Sequence, residues 1–524
     1  MLVNWDFPYS SQRVPILARN AVATSQPLAA QAGLSMLARG GNAVDAAIAT
    51  AVTLTVVEPC SNGIGSDAFA ILWDGRELVG LNASGRSPKG WAPERFAGPA
   101  MPNVGWRSVT VPGAVSAWVA LHERYGRLSF ETLFEPAIRY AKEGFLVPPA
   151  VARIWANQVE RLKDQPGFAE TFLPNGRAPR PGELFRSPAQ AATLREIAAS
   201  RGESFYRGEL GAAIARAAAQ GGAALDGDDL AAHRCDWVEP IDIGLTASGY
   251  RIHELPPNGQ GVAALIALAI LDYCGVSAMQ QDTAGMQHPQ IEAIKLAMAD
   301  VRAHVGDPDG MRVSTEWLLD PDRIEILQQT IMPSAAPAFS PGHDGGTVYL
   351  AAADASGMMV SFIQSNYHGF GSGVVVPGTG IALNNRGACF VMTPGHPNRV
   401  GPGKRPLNTI IPGFITKDGA PVAAFGVMGG TMQPQGHLQL VSRMLLSYQN
   451  PQAAIDAPRW RVEGDEVWIE ASMPAEVRQG LAARGHRLRV ATPLDFGAAQ
   501  IIWRLDDGYL SATETRRDGA AVGF

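Results

Sequence analysis

Thr347 follows two glycines and opens a strand, a combination able to do chemistry on its own backbone. Asp344-Gly345-Gly346-Thr347 leads into an apolar run over 348–353, a turn at Asp354-Ala355-Ser356-Gly357, and a resumed strand pattern over 358–363. Glycines at 345 and 346 allow backbone angles that a Cβ would forbid, so the Gly346–Thr347 peptide can bend toward the threonine hydroxyl. Attack of that hydroxyl on the preceding carbonyl, then hydrolysis of the ester, would leave Thr347 as a new N-terminus. Such a residue carries nucleophile and base together. Its hydroxyl does not ionise near neutrality, but its α-amine, with a reference pKa of about 7.7–8.0, can take the proton directly or through a water. Taken alone, the tetrapeptide is more simply a glycine-rich loop entering a hairpin. The rest of the chain tips the balance.

Other polar and glycine clusters suit acyl transfer. Gly429-Gly430 lies between a predicted strand and a predicted helix, where backbone N–H groups can face a developing oxyanion; one such donor is worth about 10²–10³ in rate. The bland alternative is a tight strand-to-helix turn. Arg86, in Asn-Ala-Ser-Gly-Arg-Ser-Pro, can hold a carboxylate through two parallel hydrogen bonds, or be a solvated loop charge. Asn384-Asn385-Arg386 follows a strand and offers further donors. In Lys404-Arg405-Pro406-Leu407-Asn408-Thr409, the basic pair suits surface salt bridges, while Asn408 and Thr409 are candidate pocket-lining donors. No GxSxG, GxxxxGK[ST], HExxH or strand-linked GxGxxG occurs. The ten histidines show no metal-ligand spacing, so no metal and no cofactor is expected.

The elements that must position these residues are readable from periodicity. Helices are expected over 25–38 and over 43–56, the second capped by Asn42. Strands over 69–73 and 77–82 form a hairpin about Asp74-Gly75, and 132–220 is mostly helical. A strand over 250–255 precedes helices over 261–271 and 288–304. Residues 333–343 are rich in proline and alanine and read as an exposed linker just before the suspected cut. Short strands then dominate: 380–383, 409–415, 422–426, 467–469, 488–490 and 500–505, with helices over 433–448 and 475–484. There is no internal repeat and no low-complexity tract.

The 524 residues are 46% hydrophobic and 18% charged, with 57 glycines, which suits a large, well-buried α/β enzyme. A net charge of −6 without any Lys/Arg run excludes nucleic acid and anionic membranes as expected partners. Cys60, Cys235, Cys274 and Cys389 form no CxxC and are expected as free thiols in a reducing compartment. No signal-peptide pattern and no apolar run of membrane-spanning length is present, so the expected location is cytoplasmic.

In their order along the chain these pieces resemble the gamma-glutamyltranspeptidase family of N-terminal nucleophile hydrolases. The resemblance covers nearly the whole chain. It runs through Gly40-Gly41-Asn42-Ala43-Val44-Asp45-Ala46-Ala47, Val111-Pro112-Gly113, Leu255-Pro256-Pro257-Asn258-Gly259-Gln260-Gly261 and Gly306-Asp307-Pro308. It continues through Leu383-Asn384-Asn385, 401–407, Gly429-Gly430 and Ala457-Pro458-Arg459. The resemblance implies an α+β fold, a four-layer αββα sandwich, made as a zymogen and self-cleaved into a large subunit, 1–346, and a small subunit, 347–524, that stay associated as a heterodimer, with further pairing left open.

Carried over residue by residue, the resemblance makes Thr347 the nucleophile and Gly346–Thr347 the autocleavage site. Ser365 takes the place of a threonine that bonds the nucleophile and assists processing. Arg86 matches the arginine that grips the substrate carboxylate, Gly429 and Gly430 the oxyanion pair, and Asn408-Thr409 replaces a usual Ser-Ser. Departures are as informative. Val348 replaces a second threonine, and Tyr367 stands where the family places an asparagine. Where an Asn-Asn-Gln-x-x-Asp pattern holds a glutamyl ammonium, this chain reads Asn384-Asn385-Arg386-Gly387-Ala388-Cys389. An acid is replaced by Cys389 and a cation has arrived, which disfavours an ammonium group. The segment between Cys389 and Gly401 is also shorter than the family's lid-bearing loop.

The expected activity is amide hydrolysis or acyl transfer on a small carboxylate-bearing substrate through an acyl-enzyme. Gamma-glutamyl compounds such as glutathione are the family default. The alternatives are oxamate-like half-amides, which two arginines near an acyl pocket would suit, or a cephalosporin-type acyl group. A second alternative, from another class, is an unprocessed, non-catalytic binding homologue.

Overall fold

The computed structural model describes residues 5, 11–246, 248–274, 282–337 and 345–524. Asp344 and the 338–343 part of the expected linker lie outside the described residues. Two seven-stranded antiparallel sheets carry the fold. One runs Ile16–Ala18, Gly508–Thr513, Ala499–Leu505, Ala420–Val427, Gly413–Lys417, Tyr250–Glu254, Ile241–Gly244. The other runs Ala520–Gly523, Ala21–Thr24, Gly346–Ala353, Met359–Tyr367, Asp67–Trp73, Leu78–Ala83, Asp236–Val238.

Alternation along the strands separates three cores. Phe69, Ile71, Tyr349, Ala351, Ile363, Phe414, Ala424 and Ile502 pack together where the two sheets face each other. The opposite face of the second sheet, with Ala70, Leu72, Leu350 and Phe362, is covered by helices Pro27–Ala38, Ala43–Val57, Ala114–Tyr125 and Phe130–Glu143. The outer face of the first sheet, with Ile415, Phe425 and Ile501, is covered by helices Gly261–Tyr273, Ala284–His304 and Met432–Val441. The result is the four-layer αββα sandwich. Helix, sheet, sheet and helix each bury an apolar face, at about 1.5–3 kcal/mol for every large aliphatic side chain fully removed from water.

The helix Ala43–Val57 is buried on every side, which its alanines permit. Asn42 and Asp45 close a reciprocal capping box at its start, and the Ala43 N–H donates to Asp354 Oδ2 at 2.7 Å. That contact ties the helix to the turn between Gly346–Ala353 and Met359–Tyr367.

Three expected elements are displaced. The strand expected over 409–415 begins only at Gly413, because Asn408 and Thr409 are held by side-chain bonds to Asp67 and Arg386 instead of a ladder. The helix expected from 288 starts at Ala284, capped by Thr283, and carries Pro289 inside it. The helix expected over 433–448 stops at Val441 and widens into a π-turn over Ser442–Leu446.

The start of the proline-rich segment is exposed, as expected, but it is fastened. Met332 O accepts from His288 Nε2 at 2.7 Å, Ala335 N donates to Arg484 O at 2.7 Å, and Ala336 N donates to Glu292 Oε2 at 3.1 Å.

Candidate active site

The direction in which Thr347 faces follows from its strand. Val348, Leu350 and Ala352 point to the helix side, while Tyr349, Ala351 and Ala353 point between the sheets, so Thr347 shares the inner face. The same parity puts Ser365 on that face with Ile363, and Asp67 with Phe69 and Ile71. Ser365 is paired in register with Thr347 on one side and Asp67 on the other. Three polar residues therefore line up across three neighbouring strands, at one end of the inter-sheet core.

Ser365 is the junction of the local hydrogen bonds. Thr347 Oγ1 donates to Ser365 Oγ at 3.0 Å, and Ser365 Oγ donates to the Gly346 carbonyl at 2.6 Å. The Tyr367 N–H also donates to Ser365 Oγ, at 2.8 Å. This last bond depends on a bulge. Gly346 pairs with Tyr367 but Thr347 pairs with Ser365, leaving Asn366 as the extra residue opposite the Gly346–Thr347 peptide. Tyr367 takes φ 80°, a left-handed conformation costly for an aromatic residue.

The two glycines before Thr347 are required, though not for the reason the sequence suggested. Neither adopts a positive φ. A Cβ on Gly345 would lie 2.6 Å from Gly430 N, and one on Gly346 would lie 2.8 Å from Gly369 N. Close approach of backbone to backbone, and not left-handed geometry, excludes any side chain here. In the unbroken chain these residues cover Thr347, which is 2% exposed.

Gly429 and Gly430 do need positive φ, at 120° and 61°. They join strand Ala420–Val427 to helix Met432–Val441, and their N–H groups have no partner among the described residues. Gln260, which sequence reasoning overlooked, fixes this turn: its Nε2 donates to Gly430 O at 2.9 Å and to Thr409 O at 2.6 Å.

Arg386 is fully buried. Its Nη1 donates to Thr409 Oγ1 at 2.8 Å, with Cys389 Sγ at 3.8 Å, and its guanidinium carbon sits 4.7 Å from the centre of the Tyr367 ring. Nε lies 3.6 Å from Asp67 Oδ2, beyond a hydrogen bond, and both Nε and Nη2 have no hydrogen-bond partner among the described residues. Asp67 was not foreseen either, although it is the one charged residue entering an apolar strand at Gly63-Ile64-Gly65-Ser66-Asp67. It accepts from Gly85 N at 3.0 Å and from Asn408 Nδ2 at 3.1 Å. Burial pushes its carboxyl up to about 6, despite the opposing pull of Arg386. Burial likewise raises the Tyr367 phenol well above its ordinary range and raises the Cys389 thiol.

Asn384 and Asn385 act as struts. Asn384 Nδ2 donates to Gly65 O and Thr110 O, while its Oδ1 accepts from Thr110 and from the Arg386 N–H. Asn385 Nδ2 donates to Asn103 O and its Oδ1 accepts from His368 N. Arg405, expected at the surface, is instead buried and holds Ser84 O and Asp236.

Arg86 stands apart from this cluster. Its Nη1 bonds Asp307 Oδ2 at 3.2 Å and Gly403 O at 3.1 Å, and it lines a cleft of about 180 Å³ with Lys89, Arg234, Arg405 and Asp236.

Although the histidines lack ligand spacing in sequence, the fold gathers donor atoms of His288, Glu292 and His486 within 4.8 Å of one another. Their own contacts already use them. His288 Nδ1 and His486 Nε2 are 2.8 Å apart, Lys295 Nζ lies 2.8 Å from Glu292 Oε1, and burial lowers His486 to about 3. The cluster fastens the 332–336 segment to helix Ala284–His304.

Known proteins match this chain from end to end. The family model described as Gamma-glutamyltranspeptidase matches residues 29–524. The glutathione hydrolase-like YwrD proenzyme of Bacillus subtilis is 36% identical over 97% of this chain and 98% of its own length. The oxamate amidohydrolase proenzyme of Klebsiella pneumoniae is 36% identical over 95% and 97%. The crystal structure of cephalosporin acylase from Bacillus halodurans superposes with a TM-score of 0.95 at 49% identity, covering 100% of this chain and 99% of that one.

Proposed function

Because the chain belongs to the gamma-glutamyltranspeptidase family, whose members are amide hydrolases and acyl transferases, we propose that it cuts itself before Thr347 and then uses that residue to cleave amides. The observation that carries this reading is the hydroxyl chain from Thr347 through Ser365 to the Gly346 carbonyl. Ser365 accepts the proton of the attacking hydroxyl and donates its own to the oxygen on which negative charge develops. Thr347 Oγ1 bonds to the Gly346 carbonyl carbon; as the tetrahedral centre collapses, the proton placed on that oxygen passes to the peptide nitrogen, the Gly346–Thr347 C–N bond breaks, and the nitrogen leaves as the Thr347 amine. Water then hydrolyses the ester, giving a Gly346 carboxylate and regenerating the Thr347 hydroxyl.

The processed residue repeats this chemistry on a substrate. Its amine takes the hydroxyl proton, Oγ1 attacks the amide carbonyl, and the unpartnered N–H groups of Gly429 and Gly430 stabilise the oxyanion. The amine product leaves with a proton, and water or another amine releases the acyl group. The uncleaved residues 345 and 346 occupy the space between Gly430 and Gly369, so the same self-cut that frees the base also opens the site.

The substrate is a small amide bearing a carboxylate, held by Arg386, Arg86 or both. Gamma-glutamyl compounds are the family default; the buried cation at 386 favours oxamate-like or other half-amides. The two pieces remain together as a heterodimer. A cytoplasmic location is supported by four free cysteines, and no described helix is long and apolar enough to cross a membrane.

A denaturing gel with intact-mass analysis tests the reading. Two polypeptides meeting at Gly346/Thr347, and loss of both splitting and amide hydrolysis in Thr347→Ala, are the expected result. A single unsplit chain lacking activity would leave a binding homologue in its place.

A further inference from the structure

The guanidinium of Arg386 presents an edge suited to a carboxylate that makes no hydrogen bond among the described residues. In arginine, Nε and the neighbouring Nη2 carry two roughly parallel N–H bonds, the spacing that a carboxylate meets with both oxygens. These are the two nitrogens left without a hydrogen-bond partner, in a side chain with 0% exposure. A buried donor left unpaired costs about 1–3 kcal/mol, and more when charged. Such an edge persists where a ligand completes it. The rest of the guanidinium is fixed by Thr409 on Nη1 and by the Tyr367 ring. Tyr367 is also the residue whose backbone N–H holds Ser365, so Arg386 is positioned from the nucleophile's own hydrogen-bond network.

Asp67 is the nearest acid, 3.6 Å from Nε, and it is held off that edge by its bonds to Gly85 N and Asn408 Nδ2. A second carboxylate arriving on Arg386 would meet Asp67 across the same guanidinium, where burial of both side chains weakens screening. Like charges that share one cation at this range do not both stay ionised.

We propose that Arg386 and Asp67 form a selector in the acyl pocket: Arg386 takes the substrate's carboxylate on its Nε–Nη2 edge, and Asp67 accepts a proton from solvent as that carboxylate arrives. The selector rests on the reading of Thr347 as the nucleophile and adds a substrate class to it. The preferred acyl group carries a carboxylate and no ammonium, because Asp67 once protonated offers no counter-charge beside Arg386, and Arg405, the other cation acting on Asp67, is already paired with Asp236. Cys389 and Tyr206, two further titratable groups that interact with Asp67, both stay neutral as burial raises them. Asp67 is thus a specificity-determining residue that acts through Arg386. Because burial already lifts its proton affinity, the uptake falls near neutral pH.

The test compares glutaramate with glutamine, two amides that differ only by the α-ammonium, using split wild-type enzyme and ammonia release. Glutaramate should be favoured in kcat/KM by about tenfold or more. Its KM should fall as pH drops from about 8 toward about 6, by at most about tenfold per unit for one proton, and then level off. The KM slope should vanish in Asp67→Asn, while Arg386→Gln should raise KM at every pH. Should Asp67→Asn fail to fold, calorimetry of glutarate binding to wild-type enzyme in two buffers of different ionisation enthalpy reads the same proton uptake. A preference for glutamine, a KM independent of pH, or binding without proton uptake would overturn the selector. Enzyme that splits but hydrolyses neither amide also overturns it while leaving the Thr347 reading intact; a chain that never splits removes the Thr347 reading itself.

Discussion

Two buried arginines in this molecule show opposite ways of living inside a protein. Arg516 is saturated: Nε and Nη2 grip Glu470 at 2.8 and 2.5 Å, Nη2 also bonds Ala457 O, and Nη1 bonds Ile455 O and Glu514. Burial alone would lower its proton affinity, yet Glu514 and Glu470 together outweigh that and raise it. Arg386 makes one good hydrogen bond to protein and leaves its bidentate edge bare. Saturation marks a fastener, and here it clamps the strand Glu466–Glu470 to the last strands of the chain. Arg386 lacks partners on two adjacent nitrogens, where other buried arginines such as Arg459 lack one, and that pair is what a carboxylate would complete.

The contrast can be broken by substitution. Arg516→Met should cost about 3–5 kcal/mol in a urea melt, since it leaves Glu470 in the interior without its cation, while Glu514 keeps Arg459. A near-neutral result would mean that saturation says nothing about role. The next largest effect belongs to Asp67. Folded, it keeps its proton to about 6; unfolded, an aspartate releases it near 3.9. Between those values the folded chain holds the extra proton, so the contribution is greatest below about pH 4 and is lost as pH rises to about 6. Relative to Asp67→Asn, wild-type stability should fall by on the order of 3 kcal/mol across that window and stay level above it. Arg386→Met should cost less than Arg516→Met, because Asp67, left without its cation, can take up a proton, while KM for a carboxylate amide rises about tenfold or more. At the small end, Arg487→Ala, which removes an exposed pair with Asp465, should leave the melt unmoved.

What could be read in advance was local. The glycines before Thr347, the turn at Gly429-Gly430 and the capped helix beginning at Ala43 each announce themselves within a few residues, through turn chemistry and periodicity. What escaped depends on partners far apart along the chain. Asp67 matters because it lies beside Ser365, and because residues 386 and 408 converge on it. Gln260 matters because it bridges two loops more than a hundred residues away. Even the glycines at 345 and 346 were legible as glycines but not as to cause, since the backbone they must approach belongs to 369 and 430. The sequence motif also could not separate Arg86, which lines its own cleft beside Asp307, from Arg386, which reaches the threonine's neighbourhood.

The order of strands carries a mechanical consequence for the nicked molecule. Gly346–Ala353 and Met359–Tyr367 are wedged between Ala21–Thr24 and Asp67–Trp73, and in the other sheet four strands from beyond position 347 are flanked by Ile16–Ala18 and Tyr250–Glu254. Neither fragment could drift away without unzipping backbone ladders on both of its flanks. Scission at 346/347 would therefore sever the polymer but not the body. Heat or urea should melt both fragments in one transition, and exchange of a fragment between molecules should be no faster than complete unfolding.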